Sequence, residues 1–328
     1  MPIPVIDLHE DVTTYYLLHG AGQPLGPLDL DLSGREADIP KWSRGGVRLV
    51  FTSIFPGTPT LVKKGERYVP GFMMRRSPES LFEHFRLTHL LARQHGVRVV
   101  ESWRDAEEVI RSGGLGFLIH IEGADAIEYP DDLRLLHRLG LRSLGLTWNY
   151  GNRWAASCYS RKDYGLTADG EELVREANEL GIIIDLAHAS PKAALEAAEV
   201  SRKPVIVSHA GVKAVRDHPR NVGDEVIEAV RRSGGVVGVS VAVSPFVGRG
   251  MEDAAKHLAY LIDHFGAEVP AIGTDFHGLL GLPPVKGLET VDKVPHLLGL
   301  LAEMGYSESV IEAVAYRNAL RVLKQVLG

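Results

Sequence analysis

Cysteine is scarce in this sequence: Cys158 stands alone among 328 residues. No intramolecular disulfide can form, and the expected setting is a reducing one, the cytoplasm. With no partner thiol, Cys158 is read as a small apolar packing residue. An excess of basic charge is also missing. Lys and Arg number 36 against 42 Asp and Glu, for a formal net charge of −6. Nucleic acid is a poor main partner for such a chain, because phosphate binding calls for a basic stripe. Long apolar runs are lacking too. The longest uncharged stretch, 233–248, is broken by glycines and Pro245 and is too short to span a bilayer. The opening MPIPVIDLHED has no basic segment ahead of an apolar core, so no export signal and no membrane attachment are expected.

What is present is an alternation of short apolar runs with helical patterns. Strands are expected at 3–9, 48–55, 116–122, 142–148, 182–188, 204–209, 235–242 and 269–276, with a weaker one at 97–100. Helices are expected behind Ser77-Pro78, where Leu81, Phe82, Phe85, Leu90 and Leu91 recur at helical spacing, over 169–180 up to Gly181, and from Ser190-Pro191. Eight β-runs separated by helices predict a (β/α)₈ TIM-type barrel, read as one domain over 1–328. The rival is an open doubly wound sheet. It loses its usual phosphate site, since no G-x-G-x-x-G turn follows the first strand. The segments 12–46 and 56–77 are expected to be long loops over one end of the barrel.

Several of these runs end in polar residues. VIDLHEDV ends in His9, Glu10 and Asp11; GFLIHIEG ends near Glu122; IIIDLAH ends in His188; PVIVSH ends in His209; VPAIGTDF ends in Asp275. In a (β/α)₈ barrel the C-terminal strand ends share one face, where active sites are built. Side chains two apart on a strand share a side, so His9 and Asp11 can both enter the mouth with Glu10 turned away. Imidazole with carboxylate suits zinc or a similar divalent ion. Glu122, His188 and His209 complete the shell. Three histidines and two carboxylates exceed the need of one tetrahedral ion and suit two, with a carboxylate bridging. Each residue alone has a structural alternative as a hydrogen-bonded rim group, and Asp7 and Asp185, earlier in their strands, are read as supporting residues.

The motifs DLHEDV, HIEGADAI, GLTWNYGNRWAAS, DLAHAS, VSHAGVKAVRDHPRNV and IGTDFHG, in this order, resemble the membrane (renal) dipeptidase family of the amidohydrolase superfamily. GGVRLVFTSIF and RNALRVL fit as well, so the likeness covers nearly the whole chain. It implies a zinc-dependent hydrolase that cleaves dipeptides, often with a D-residue at the C-terminal position, by a metal-bridging hydroxide. It implies two Zn²⁺, other divalent ions being compatible. His9 and Asp11 would hold one ion, His188 and His209 the other, and Glu122 would bridge. Asp275 would orient the hydroxide and shuttle its proton, and Arg220 would bind the substrate's C-terminal carboxylate. Homodimers are common in the family, so a homodimer is the expected assembly, with a small peptide as the substrate.

One position departs from the family pattern. Trp148 stands where the family has a histidine that contacts substrate and stabilises charge on the attacked carbonyl. Losing such a donor costs on the order of 10²–10³ in rate. His120 and His277 are candidate substitutes; both have barrel-filling alternatives. Asn149 and Asn152 are candidate substrate contacts or loop-backbone partners, Asp275 a candidate turn residue, Arg220 a candidate surface arginine. Trp148 also keeps open another amide or ester hydrolase of the superfamily. A non-catalytic binding protein is the remaining reading, and no expected ligand is missing to favour it.

Overall fold

The computed structural model describes residues 2–20, 22–64, 66–74, 78–241 and 244–328. Among them eleven strands form: β1 Val5–Glu10, β2 Val47–Ile54, β3 Gly57–Lys64, β4 Arg67–Met74, β5 Arg98–Val99, β6 Gly116–Ile121, β7 Leu141–Gly145, β8 Ile183–Asp185, β9 Ile206–Ala210, β10 Val236–Val239 and β11 Pro270–Ile272. Eight of them, β1, β2, β6, β7, β8, β9, β10 and β11, pair in parallel in that circular order. Asp7 opposite Ile272 closes the ring. This is the expected closed barrel with helices between strands. The strands are nearly uniform apolar runs because side chains fill the inside while helices cover the outside. One buried cluster joins Ile6, Leu8, Leu49, Phe51, Leu118, Ile183, Ile206, Val236 and Ala271 with Ala319, Val322 and Val326 of the C-terminal helix Asn318–Leu327. The larger one packs the outer strand faces against helices.

The expected helices form as Pro78–His95, Ala168–Leu180 and Pro191–Val200. The first buries Leu81, His84, Phe85, Thr88, Leu91 and Ala92, while Phe82 faces solvent. Its expected cap, Ser77, lies outside the described residues. The second ends at Gly181, which is left-handed with φ 71°. In the third, Ser190 caps the N–H of Ala193.

Two long connections reach over the C-terminal end of the barrel. The first carries a helix directly behind Asp11, Val12–Leu17, and a later one, Ile39–Gly45. Between them buried Arg35 donates to the carbonyls of Gly26 and Pro27 and to Asp38, so the backbone there is satisfied without regular structure. The second was expected to be loop and is an antiparallel hairpin, β3 with β4, paired from Gly57–Met74 to Lys64–Arg67. Pro59, Pro70 and Gly71 hide it, since they read as strand breakers. Several strands also stop earlier than their apolar runs. The 182–188 run forms regular strand only over 183–185, and 269–276 only over 270–272, with one further parallel bridge between Phe276 and Glu10. Ala242, at the end of the 235–242 run, lies outside the described residues. No helix among the described residues is long and apolar enough to cross a membrane.

Candidate metal centre

Two aspartates placed early in their strands organise the site. Asp7 on β1 accepts from Thr274 N at 2.8 Å and Thr274 Oγ1 at 2.6 Å, and so holds the residue before Asp275. Asp185 on β8 accepts from Ser208 N at 2.8 Å and Ser208 Oγ at 2.6 Å, and so holds the residue before His209. Each also accepts the backbone N–H two residues on, His9 and Ala187; β8 ends at Asp185, whereas β1 runs on to Glu10 with a register shift against β2 after Asp7. Beyond Asp185, and at Thr274 held by Asp7, the chain has left the regular ladder although the apolar run continues. Past these points, His188 and Asp275 are left-handed, with φ 65° and 64°. Such backbone costs roughly 1–3 kcal/mol per residue and persists where surroundings over-determine it.

These turns bring the expected donors together. Glu122 Oε1 lies 2.9 Å from His188 Nε2, 3.5 Å from His209 Nε2 and 3.7 Å from His9 Nε2. His9 Nε2 lies 3.3 Å from Asp11 Oδ2 and 3.8 Å from Asp275 Oδ1. The two remaining imidazole Nε2 atoms, of His188 and His209, are 3.0 Å apart. Ligands about 2.05 Å from one tetrahedral ion sit about 3.3 Å from each other, so the spacing is that of a coordination shell. Glu10 points the other way and accepts the Trp42 indole N–H at 2.9 Å.

The hydrogen bonds select the ligand tautomer. Ser208 gives its proton to Asp185, so His209 Nδ1, 2.9 Å from Ser208 Oγ, must be the donor there. His188 Nδ1 donates to Asn149 Oδ1 at 2.9 Å. Both rings therefore turn bare Nε2 lone pairs toward Glu122. Burial holds both well below the usual imidazole pKa, with Arg220 and His9 adding to the effect. Burial likewise pushes Glu122 up, and Asp275 up to about 7. Burial alone would lower His9, yet Glu122, Asp11 and Asp275 drive it up to about 10. Neither His9 ring nitrogen has a hydrogen-bond partner. A buried imidazole without a hydrogen-bond partner among three carboxylates marks a pocket that accepts a cation. Gly278 fits the same picture, because a Cβ there would stand 2.3 Å from Asp11 Oδ2 and 2.8 Å from Asp275 Oδ1. The residues present thus fit divalent metal.

Around the donors opens a cavity of about 350 Å³, whose lining includes Arg220, His218, Phe246 and Tyr159 and the rings of Phe55, Phe72 and Trp148. Arg220 is 5% exposed; its Nη2 donates to His209 O at 3.0 Å, and Phe246 lies under the guanidinium. Asn221, next in HPRN, accepts from Gly211 N and donates to Arg216 O and Phe246 O, pinning this loop to the end of β9. Asn149 lines the cavity. Asn152 instead spends its amide on Asp125 and Leu146 O and its oxygen on the N–H groups of Trp154 and Ala155. His120 is fully buried below the centre, edge-on to His9, with Nδ1 3.0 Å from Ser143 Oγ. His277 is also fully buried, with Nε2 3.1 Å from Ala37 O. Sequence reading did not single out Thr14, which fixes Asp11 by donating to its Oδ1 at 2.9 Å, nor Phe72. Thr14 carried a signal, one turn behind Asp11; Phe72 carried none, because the hairpin was not foreseen.

The family profile described as membrane dipeptidase (peptidase family M19) matches residues 1–327. A dipeptidase, verJ, of Clonostachys rogersoniana is 30% identical over 335 aligned residues, covering 99% of this chain and 84% of that protein. Among solved structures, a metallopeptidase from Rhodobacter sphaeroides, bound to a phosphinate mimic of the dipeptide L-Ala-D-Ala, superposes with a TM-score of 0.83. It is 26% identical, covering 99% of this chain and 100% of that one. A dipeptidase AC described as an M19 metallopeptidase gives 0.82 at 27% identity, with both chains fully covered. With a profile match over nearly its whole length and a barrel that ends in this donor cluster, the chain belongs to the membrane dipeptidase family, peptidase family M19.

Proposed function

We propose that the protein is a binuclear metallo-dipeptidase that hydrolyses the peptide bond of dipeptides, including those with a C-terminal D-residue. The observation that carries the reading is the convergence of bare Nε2 lone pairs from His188 and His209 on Glu122, beside His9 and Asp11. His9 and Asp11 would hold one zinc ion, His188 and His209 a second, and Glu122 would serve both. Bound there, zinc supplies Lewis acidity and acidifies water to a pKa of about 7. The protein's own groups do the rest. Asp275 lines the cavity and would take a proton from the attacking water and return it to the leaving amine. Arg220 offers a guanidinium fork that matches a free C-terminal carboxylate. Support for the D-residue comes from the L-Ala-D-Ala mimic held by the Rhodobacter relative.

A second reading, hydrolysis of another amide or an ester, is favoured by Trp148, which brings one N–H and a large ring where the family has histidine. Purified protein assayed on L-Ala-L-Ala and L-Ala-D-Ala, with and without added zinc, separates the two. Zinc-dependent release of free amino acids is expected. An enzyme that holds zinc and cleaves esters but no dipeptide would replace the first reading with the second.

A further inference from the structure

The cavity has two unlike walls, and the barrel order says how a dipeptide lies between them. β9 is the sixth strand of the ring and β2 the second, so they face each other across the mouth. Arg220 is bound to the end of β9 through His209 O. Phe55 directly follows β2, and Phe72 sits on the hairpin that comes next. Phe55, Phe72 and Trp148 touch one another: ring centroids are 4.9 Å apart for Phe55–Trp148, 5.5 Å for Phe55–Phe72 and 6.1 Å for Phe72–Trp148. The three come from separate stretches of chain, and all three line the cavity.

Charge is distributed just as unevenly. Among the described lining residues the carboxylates are Asp11, Glu122 and Asp275, all inside the donor cluster, and Arg220 supplies the one guanidinium. Among the described lining residues the aromatic wall offers no charged partner. With the C-terminal carboxylate on Arg220 and the scissile bond at the donor cluster, the first residue of the dipeptide would extend toward the rings.

We propose that Trp148, Phe55 and Phe72 form the surface that receives the side chain of the substrate's N-terminal residue, selecting dipeptides whose first residue is aromatic or large aliphatic. The proposal rests on the dipeptidase reading. The apolar contact replaces water on both partners, whereas an acidic first side chain would lose hydration without gaining a partner among the described lining residues. Trp148 is then a specificity residue: the ring that takes the place of the family's histidine also packs on Phe55 in this wall.

The test compares zinc-supplemented enzyme on Phe-Ala, Leu-Ala, Gly-Ala and Asp-Ala. Phe-Ala and Leu-Ala are expected to exceed Gly-Ala in kcat/KM by about tenfold or more, with Asp-Ala poorest. In Trp148→Ala the Phe-Ala to Gly-Ala ratio should drop several-fold. Phe72→Ala, on the hairpin and outside the barrel core, should lower the same ratio and carries the test if the tryptophan variant does not fold. The ratio is internal to each preparation, so partial unfolding does not move it. A flat profile across the four substrates, or ratios unchanged in both variants, overturns this proposal and leaves the dipeptidase reading standing. Failure to cleave any of the four overturns both.

Discussion

Asp275 combines three features: left-handed backbone, a carboxylate on the cavity, and a pKa that burial pushes up to about 7. Replacing it by asparagine keeps the shape and removes the proton acceptor. Asp275→Asn is expected to lower kcat by roughly 10²–10⁴, while elemental analysis finds the metal content of the parent enzyme. Parent-like turnover would end its proton-transfer role. Arg220 acts at the other end of the substrate. A charge-assisted hydrogen bond contributes about 1.5–3 kcal/mol, so Arg220→Ala should raise KM for free dipeptides by roughly ten- to a hundredfold. The complementary measurement uses the unaltered enzyme: if it cleaves C-terminally amidated dipeptides as well as free ones, Arg220 is not the carboxylate clamp. Legibility at this scale depended on position in a strand. His9, His188 and His209 each end an apolar run, a local pattern. That His188 and His209 present Nε2 rather than Nδ1 depends on Asn149 and Ser208, and no spacing rule reports it.

Between elements, the contacts that hold the mouth together are buried and polar. His84 on the helix Pro78–His95 sits 2.7 Å from Thr13 Oγ1 on the helix that follows Asp11, and that hydroxyl also donates to Ser53 O at the end of β2. Burial lowers His84 from 6.5 to about 4. A histidine held neutral in the fold but free to protonate when unfolded contributes its full stability above pH 6.5 and loses it as pH falls toward 4. The loss amounts to on the order of 3 kcal/mol. Denaturant titrations of His84→Asn between pH 7 and 4 should therefore show a flatter pH dependence than the parent; an unchanged slope would rule out His84 as its source. Gly273, just after β11, is a steric case. A Cβ there would stand 1.9 Å from Ser208 O. Gly273→Ala is expected to displace Ser208, and His209 with it, lowering both melting temperature and zinc content. A variant with parental metal content would show that the neighbouring strand yields. The hairpin marks where local reading ran out: its strands carry two prolines and two glycines, and only pairing between two such stretches makes them a sheet.

For the molecule as a whole, the donor cluster is an electrostatic burden without a cation. Asp11, Glu122 and Asp275 are buried within about one side chain's reach of one another through His9. An ion that binds the fold and not the unfolded chain stabilises it by mass action, about 4 kcal/mol at a thousandfold excess over Kd. Chelation is expected to lower the melting temperature by several degrees, and added zinc to restore it; a transition indifferent to both would count against a metal at this position.

By itself the sequence determined the barrel and the residue types at its mouth. Both follow from local patterns: β-branched runs at regular intervals, each stopped by a side chain too polar to stay in an apolar core. Tertiary structure alone decided how those side chains face one another. The hold of Asp7 on Thr274 and of Asp185 on Ser208, the left-handed turns at His188 and Asp275, and the meeting of Phe55, Phe72 and Trp148 all depend on stretches far apart in the chain. Their geometry comes from closing the ring, which no single segment encodes.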